Sequence, residues 1–126
     1  MPGKPVTFRA ICKILMTKNI NINIKLEKLN NPFINNYGEI PRYINRADGD
    51  PWDVMIPGYP KLEKNKYFRF KELLGVYILP NGNHKLIIDI HDKLYTQDRS
   101  SMKRDILNYK KKYESRTNLK GSIIYF

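Results

Sequence analysis

With one cysteine, Cys12, in 126 residues, the chain can close no internal disulfide and build no cysteine-based metal site. Cys12 falls on the apolar side of an alternating stretch and reads as a buried, inert thiol, so redox chemistry is not expected. No apolar run approaches the roughly 18 residues that span a bilayer. Residues 1–5 lead into alternation rather than the continuous apolar core of a signal peptide, which predicts a cytoplasmic protein with no membrane partner. There is no Gly-rich phosphate loop and no Ser-His-Asp spacing, and His84 and His91 have no partners at metal-ligand spacing. These absences set aside nucleotide-loop, serine-hydrolase and histidine-metal chemistry. Internal repeats, low-complexity tracts and linkers are also lacking, so residues 1–126 are expected to form one domain.

Acidic residues are scarce too: 12 Asp and Glu stand against 23 Lys and Arg, for a formal charge of +11. The imbalance is uneven, with 8 basic and 5 acidic residues in 1–60 but 15 and 7 in 61–126. Such a field attracts anions of any kind, from phosphate and pyrophosphate to RNA, and does not choose among them. The richness in Asn, Ile and Lys is a composition typical of AT-rich genomes, viral or organellar ones included.

Hydrophobic content of 41% supports a modest core, and the periodicities say how it is built. Residues 6–16 alternate, with Val6, Phe8, Ala10, Cys12, Ile14 and Met16 on one parity, which predicts a half-buried strand. Residues 20–26 repeat the pattern, so a hairpin turning at 17–19 is expected. Residues 30–38 are turn-rich, and the next strand is expected at 53–56, stopped by Pro57 and Gly58. Apolar runs at 67–70 and 73–79 precede a Pro80-Asn81-Gly82-Asn83 turn, after which 85–90 resumes as a strand. Met102, Ile106, Tyr109 and Tyr113 lie on one face of a helix that Ser100 or Ser101 could cap, and 122–126 is a last strand. This order predicts an α+β, mainly β fold: a small closed or partly open, OB-like barrel with a C-terminal helix packed on it.

Against the basic background, Asp48, Asp50 and Asp53 stand within six positions. Asp48 and Asp50 would share a face of an extended backbone, and a bend at Pro51 could bring Asp53 round to them. Three carboxylates meeting in one place repel one another unless a cation sits among them. Oxygen donors of this kind suit Mg²⁺ or Mn²⁺, which share their remaining sites with water and phosphate oxygens. An Asp-Gly turn with two further surface acids accounts for the same spacing.

The stretch Asp48-Gly49-Asp50-Pro51-Trp52-Asp53-Val54 resembles the signature of family I soluble inorganic pyrophosphatases, with Trp52 where an aliphatic residue is usual. Asn36-Tyr37-Gly38 is similar to the Asn-Tyr-Gly before that signature, and Ile24-Lys25-Leu26-Glu27 to the family's Ile-Lys-Tyr-Glu strand. Downstream, Arg69 with Gly75-Val76, residues 85–94, the 106–113 helix and Lys120-Gly121 continue the resemblance in chain order, over roughly residues 20–126.

The resemblance implies a pyrophosphatase-type barrel that hydrolyses pyrophosphate to phosphate with Mg²⁺, or Mn²⁺, and it is compatible with a homo-oligomer. By motif match, Asp48, Asp50 and Asp53, with Asn83, would be metal ligands. Asp50, Asp53 and Tyr37 would form the catalytic group, and Lys25, Arg69, Lys85 and Tyr113 would bind the substrate's phosphates. Departures accompany the matches. Asn83 stands where a carboxylate is expected in a hairpin about three residues shorter than the family's, and Glu114 replaces a lysine. Lys13 lies near the place of an early metal-associated Glu, and Asp89 or Asp92 could replace a missing ligand. Two function classes therefore stand side by side: a divergent Mg²⁺-dependent pyrophosphatase, or a non-catalytic relative serving as a basic binding or structural component on RNA or in an assembly. Lys110-Lys111-Lys112 reads as a solvated helix face, with an RNA-binding surface as the alternative.

Overall fold

The computed structural model describes residues 3–17 and 20–126. Its elements are β1 (Lys4–Val6), α1 (Phe8–Met16), β2 (Asn23–Leu26), β3 (Tyr37–Asn45), β4 (Pro51–Met55), β5 (Tyr67–Ile78), β6 (Lys85–His91), α2 (Arg99–Thr117) and β7 (Ser122–Tyr125). Five strands form a ring in the order β3-β2-β5-β6-β4, closed by β4 pairing back on β3. All ring pairings are antiparallel except β4–β6. β1 extends β3 in parallel and β7 extends β5 antiparallel. The fold is thus a closed, mixed five-stranded barrel with two extra strands and a C-terminal helix, the small barrel that the sequence predicts.

Each ring strand buries one parity inside the barrel, where Ile24, Leu26, Ile40, Val54, Leu86 and Ile88 are almost wholly excluded from solvent. Trp52 belongs to this interior as well. The other parity of several strands is also buried. Tyr37, Met55, Tyr77 and Ile87 form an outer floor on which α2 lays Met102, Ile106 and Tyr109. Each fully buried aliphatic side chain of this kind stabilises by about 1.5–3 kcal/mol.

The first expected strand is largely a helix. Residues 6–16 carry two periods at once, and the alternation leaves Ile11 and Leu15 on the polar parity. Those two are the deeply buried residues of α1, and they pack onto the barrel interior. Thr7 caps the helix by accepting from the amide of Ala10 at 3.1 Å. No strand hairpin therefore joins 6–16 to β2, and of the expected turn at 17–19, residues 18 and 19 lie outside the described residues. Cys12, which the strand reading buries, is only half-buried on this helix.

β3 lies where no strand is expected, since Gly38 and Pro41 both disfavour regular pairing. Pro41 falls where the β3–β4 register shifts between Ile40 and Ile44, the bulge setting in which a strand tolerates proline. Gly38 faces β2 so closely that a Cβ there would lie 2.4 Å from the carbonyl oxygen of Lys25. The two apolar runs at 67–70 and 73–79 fuse into the 12-residue β5, whose register slips around exposed Lys71 and Glu72. In α2 the cap is Asp98, not Ser100 or Ser101: its carboxylate accepts from the Ser100 amide at 3.1 Å. No helix among the described residues is long and apolar enough to cross a membrane.

A tight corner after β4 holds α2 in place. The Gly58 amide donates to Asp105 Oδ2 at 2.9 Å, and the Asp98 amide donates to the Gly58 carbonyl at 2.9 Å. Gly58 sits at φ +80°, and a Cβ there would lie 2.7 Å from the Asp98 carbonyl oxygen. Gly58→Ala is therefore expected to lose about 2–4 kcal/mol of stability in urea unfolding followed by Trp52 fluorescence. A loss below about 0.5 kcal/mol would show that the corner does not constrain the helix.

Candidate functional site

Residues paired directly across a sheet share a face. The register sets Tyr67 beside Lys25, Lys25 beside Glu39, and Glu39 beside Asp53, so these four form one row on the outside of the barrel. The parallel β4–β6 pairing of Val54 with Leu86 carries the row on to Lys85. Lys85 Nζ lies 2.8 Å from Asp53 Oδ2, although the lysine is only 3% exposed.

A buried ammonium needs compensation beyond one carboxylate. The rings of Tyr37 and Tyr113 supply it, with centroids 5.9 and 5.6 Å from Lys85 Nζ. Tyr109 stacks between them, 5.7 Å from Tyr37 and 5.6 Å from Tyr113. Burial first, then Tyr109 and Asp53, hold the Tyr37 phenol well above its ordinary pKa. Burial and then Asp53 raise Tyr113 as well, so both remain neutral hydroxyls at physiological pH.

Five residues singled out in the sequence therefore meet on one patch: Lys25 from β2, Tyr37 from β3, Asp53 from β4, Lys85 from β6 and Tyr113 from α2. Three further members were not anticipated as site residues: Glu27, Glu39 and Tyr109. Glu27 and Glu39 each stand two positions after a matched residue, Lys25 and Tyr37, but that shared parity gains meaning only once the strand pairing is known, and β3 is a strand the sequence does not predict. Glu27 is raised from its ordinary carboxylate value by burial, then by Asp53 and Glu39, with Lys85 and Lys64 opposing. Glu39 is raised by burial; Lys25 opposes this, and Asp53 and Asp50 add to it.

The three aspartates do not converge as the Pro51 bend would have them. Pro51 opens β4 without turning it, so Asp53 keeps the parity of the pleat and faces Lys85. Asp48 and Asp50 stay exposed in the preceding turn, where Asp48 Oδ1 accepts from the Asp50 amide at 2.9 Å and Gly49 takes φ +76°. Asn45 pins this turn to the hairpin tip by donating to the Gly82 carbonyl at 3.2 Å. That contact brings Asn83 alongside. With its amide oriented to satisfy both neighbours, Asn83 donates to Asp48 Oδ2 at 3.1 Å and accepts from Lys85 Nζ at 3.3 Å.

Other candidates are engaged elsewhere. Arg69 pairs with Asn23 on the edge of the row and lines a separate groove of about 540 Å³ with Leu15, Lys71 and His91. Asp89 accepts from the Tyr59 hydroxyl and the Ile90 amide, and Asp92 accepts from the amides of Leu94 and Tyr95. His84 accepts from the Leu79 amide through Nδ1 and packs on Phe8, a structural post at the hairpin base. Asn36, from the matched Asn-Tyr-Gly, is fully buried and braces 59–62, donating to the Pro60 carbonyl and accepting from the Leu62 amide, both at 2.9 Å.

Glu114 turns away from the patch. Its Oε2 accepts from the Gly121 amide at 3.0 Å, Lys110 Nζ at 2.7 Å and the Tyr77 hydroxyl at 2.8 Å, fastening the start of β7. The Gly121 and Lys110 hydrogen bonds hold its carboxyl down at about 2. A depressed carboxylate contributes stability above its unfolded value near 4.5, and that contribution fades as pH falls towards about 2. Glu114→Gln is accordingly expected to lower the melting temperature by several degrees at pH 7, with the difference shrinking below about pH 4 and vanishing near pH 2. A pH-independent difference would assign the effect to packing instead of charge.

No group of three His, Cys, Asp or Glu among the described residues is arranged as a preformed metal centre. Asp53 and Glu39 on the row and Asp50 in the adjoining turn carry carboxylate oxygens, the donor type by which Mg²⁺ or Mn²⁺ is commonly held through one or two carboxylates, with water and phosphate oxygens completing the shell. No protein-family model matches the chain, and no match is found among curated proteins.

Proposed function

We propose that this protein is a divergent Mg²⁺-dependent inorganic pyrophosphatase. One observation carries the reading: in a chain of charge +11, Glu27, Glu39 and Asp53 stand among Lys25, Lys64 and Lys85, and the adjoining turn adds Asp48, bridged to Lys85 through Asn83, and Asp50, which bears on Glu39, so that patch and turn together hold an acid surplus. Lysines and tyrosine hydroxyls suit phosphate oxygens, but the surplus repels a free polyanion, so the pair that fits is a phosphate anion together with divalent cations. Bound there, Mg²⁺ supplies charge neutralisation and acidifies water for in-line attack on phosphorus.

The chain's own groups have separable tasks. Lys25 and Lys85 draw phosphate oxygens towards the row, and the Tyr37 and Tyr113 hydroxyls donate to them. Exposed Asp50 accepts the proton of the attacking water, while Asp53 holds Lys85 and contributes to the metal ligation. Water oxygen adds to one phosphorus as its bond to the bridging oxygen breaks, and the second phosphate departs. Asn83 supplies no charge where the resemblance expects a carboxylate, which weakens attraction for additional Mg²⁺.

One observation favours the non-catalytic reading: Asn83 links Asp48 to Lys85, and Lys85 already neutralises Asp53, so part of the patch satisfies itself. Phosphate release from pyrophosphate decides between the two. The native protein is expected to release phosphate only with Mg²⁺. Asp50→Asn, a change at an exposed turn, and Asp53→Asn should each lower the rate about 100-fold or more. No release above a buffer blank at any Mg²⁺ concentration would leave the non-catalytic reading.

A further inference from the structure

The two acids of α2 both face the barrel. Asp105 accepts from the Gly58 amide, and Glu114 is held by Tyr77, Gly121 and Lys110. Every charged residue left on the helix's exposed face is therefore basic: Arg99, Lys103, Arg104, Lys111, Lys112 and Arg116. At about 100° per residue they fall on two flanks: Arg104, Lys111, Lys112 and Arg116 form a cationic stripe of roughly 18 Å on the Phe33 side, and Arg99 and Lys103 lie on the other flank. The like charges of the stripe repel one another, and a polyanion laid along it removes that repulsion.

The surface beside the stripe narrows the polyanion. Between α2 and residues 30–35 run two adjoining grooves of about 440 and 420 Å³, both lined by Phe33, Asn108 and Lys112. Lys111, Ser115 and Arg116 complete the second groove, and the Arg116 guanidinium lies 5.9 Å from the Phe33 ring centroid. The first groove also holds Lys61 and the Asp105 carboxylate, the latter engaged by the Gly58 amide. In the second, the half-buried Phe33 ring lies beside Asn108 and three cations, a stacking platform for an unpaired base next to charges that track a sugar-phosphate backbone. A lipid surface fits less well: Leu107 is the one apolar residue on the exposed face, too little to insert beside six charges.

We propose that this furrow and stripe bind single-stranded nucleic acid, with a base on Phe33 and phosphates on Lys111, Lys112 and Arg116. The furrow borders the pyrophosphate patch, because the Phe33 ring packs edge-on against Tyr109 and Tyr113 at 5.8 and 6.4 Å. Lys111, Lys112 and Arg116 are not members of that patch, so their variants test this reading separately from the pyrophosphatase one.

Fluorescence anisotropy with a labelled single-stranded RNA of about 12 nucleotides, titrated from about 50 to 300 mM salt, tests it. The native protein is expected to bind with an affinity that falls steeply with salt. Lys111→Gln/Lys112→Gln/Arg116→Gln should weaken binding at least about tenfold and make the salt slope shallower by about 2, since each phosphate no longer neutralised removes about 0.7. Arg104→Gln/Lys111→Gln/Lys112→Gln, which spares the Arg116–Phe33 pair and removes two of the three phosphate contacts, should also weaken binding and make the slope shallower by about 1.4. The four positions altered in these two variants are all exposed, so melting temperatures should be retained. Phe33→Leu should cost about fivefold or more while leaving the slope unchanged. Unaltered RNA affinity in both triple variants, an unchanged affinity in Phe33→Leu, no RNA binding at about 50 mM salt, or tighter binding to phosphatidylserine vesicles than to RNA would each overturn the proposal.

Discussion

The barrel exists as a barrel because β4 pairs in parallel with β6. That seam is short, recorded by Val54 opposite Leu86 and Met55 opposite Ile87, yet it joins the two ends of the five-stranded ring. Without it β4 and β6 would each expose an unpaired edge. The same two residue pairs place Met55 and Ile87 side by side as the floor for α2, and Val54 and Leu86 side by side within the interior. Asp53 stands one residue before the seam and Lys85 one residue before its partner, so their ion pair sits at the seam's edge. A lysine that is 3% exposed is tolerable there because the pairing delivers a carboxylate at 2.8 Å and α2 delivers aromatic rings to join that of Tyr37.

What the sequence discloses follows what is local. The alternation of 20–26 and 85–90, the Pro-Asn-Gly-Asn turn and the 102–113 helical face are readable because each depends on neighbours along the chain. Residues 6–16 are misread because two periods coexist there, and only the barrel, by offering a hydrophobic surface to Ile11 and Leu15, decides for the helix. β3 is hidden by Gly38 and Pro41, whose placement makes sense once a close strand and a bulge are known. For the site, the motif resemblance picks out five residues that do meet, while Arg69 goes to another groove. Glu27 and Glu39 escape notice because a charge gains meaning from the residue across the sheet, and cross-strand register is not written in local sequence.

Charge in this protein is sorted by face, not diluted over the surface. Acids gather along the Lys25–Glu39–Asp53 row, where burial and then neighbouring acids raise Glu27 and Glu39, and the two acids of α2 are turned inward as fasteners. The bases that remain on α2 are therefore left facing solvent. A net charge of +11 understates both effects, since it averages an acid-rich patch with a wholly cationic helix face. Glu114 illustrates the sorting: the motif resemblance puts an acid at the site where it expects a base, yet the hydrogen bonds of Glu114 make it a clamp between α2, β5 and the chain entering β7.

The turn at residues 46–50 and the hairpin tip at 79–85 touch through Asn45 and Gly82, Gly82 and Ala47, and Asn83 and Asp48. The two tips are thereby a single mechanical part, cut to a common length. An insertion that lengthened the hairpin enough to carry a carboxylate would lift Gly82 off Asn45 and release the aspartate turn it braces. The short hairpin and the aspartate turn thus constrain each other, and a change in the length of one tip must be matched by a change in the other.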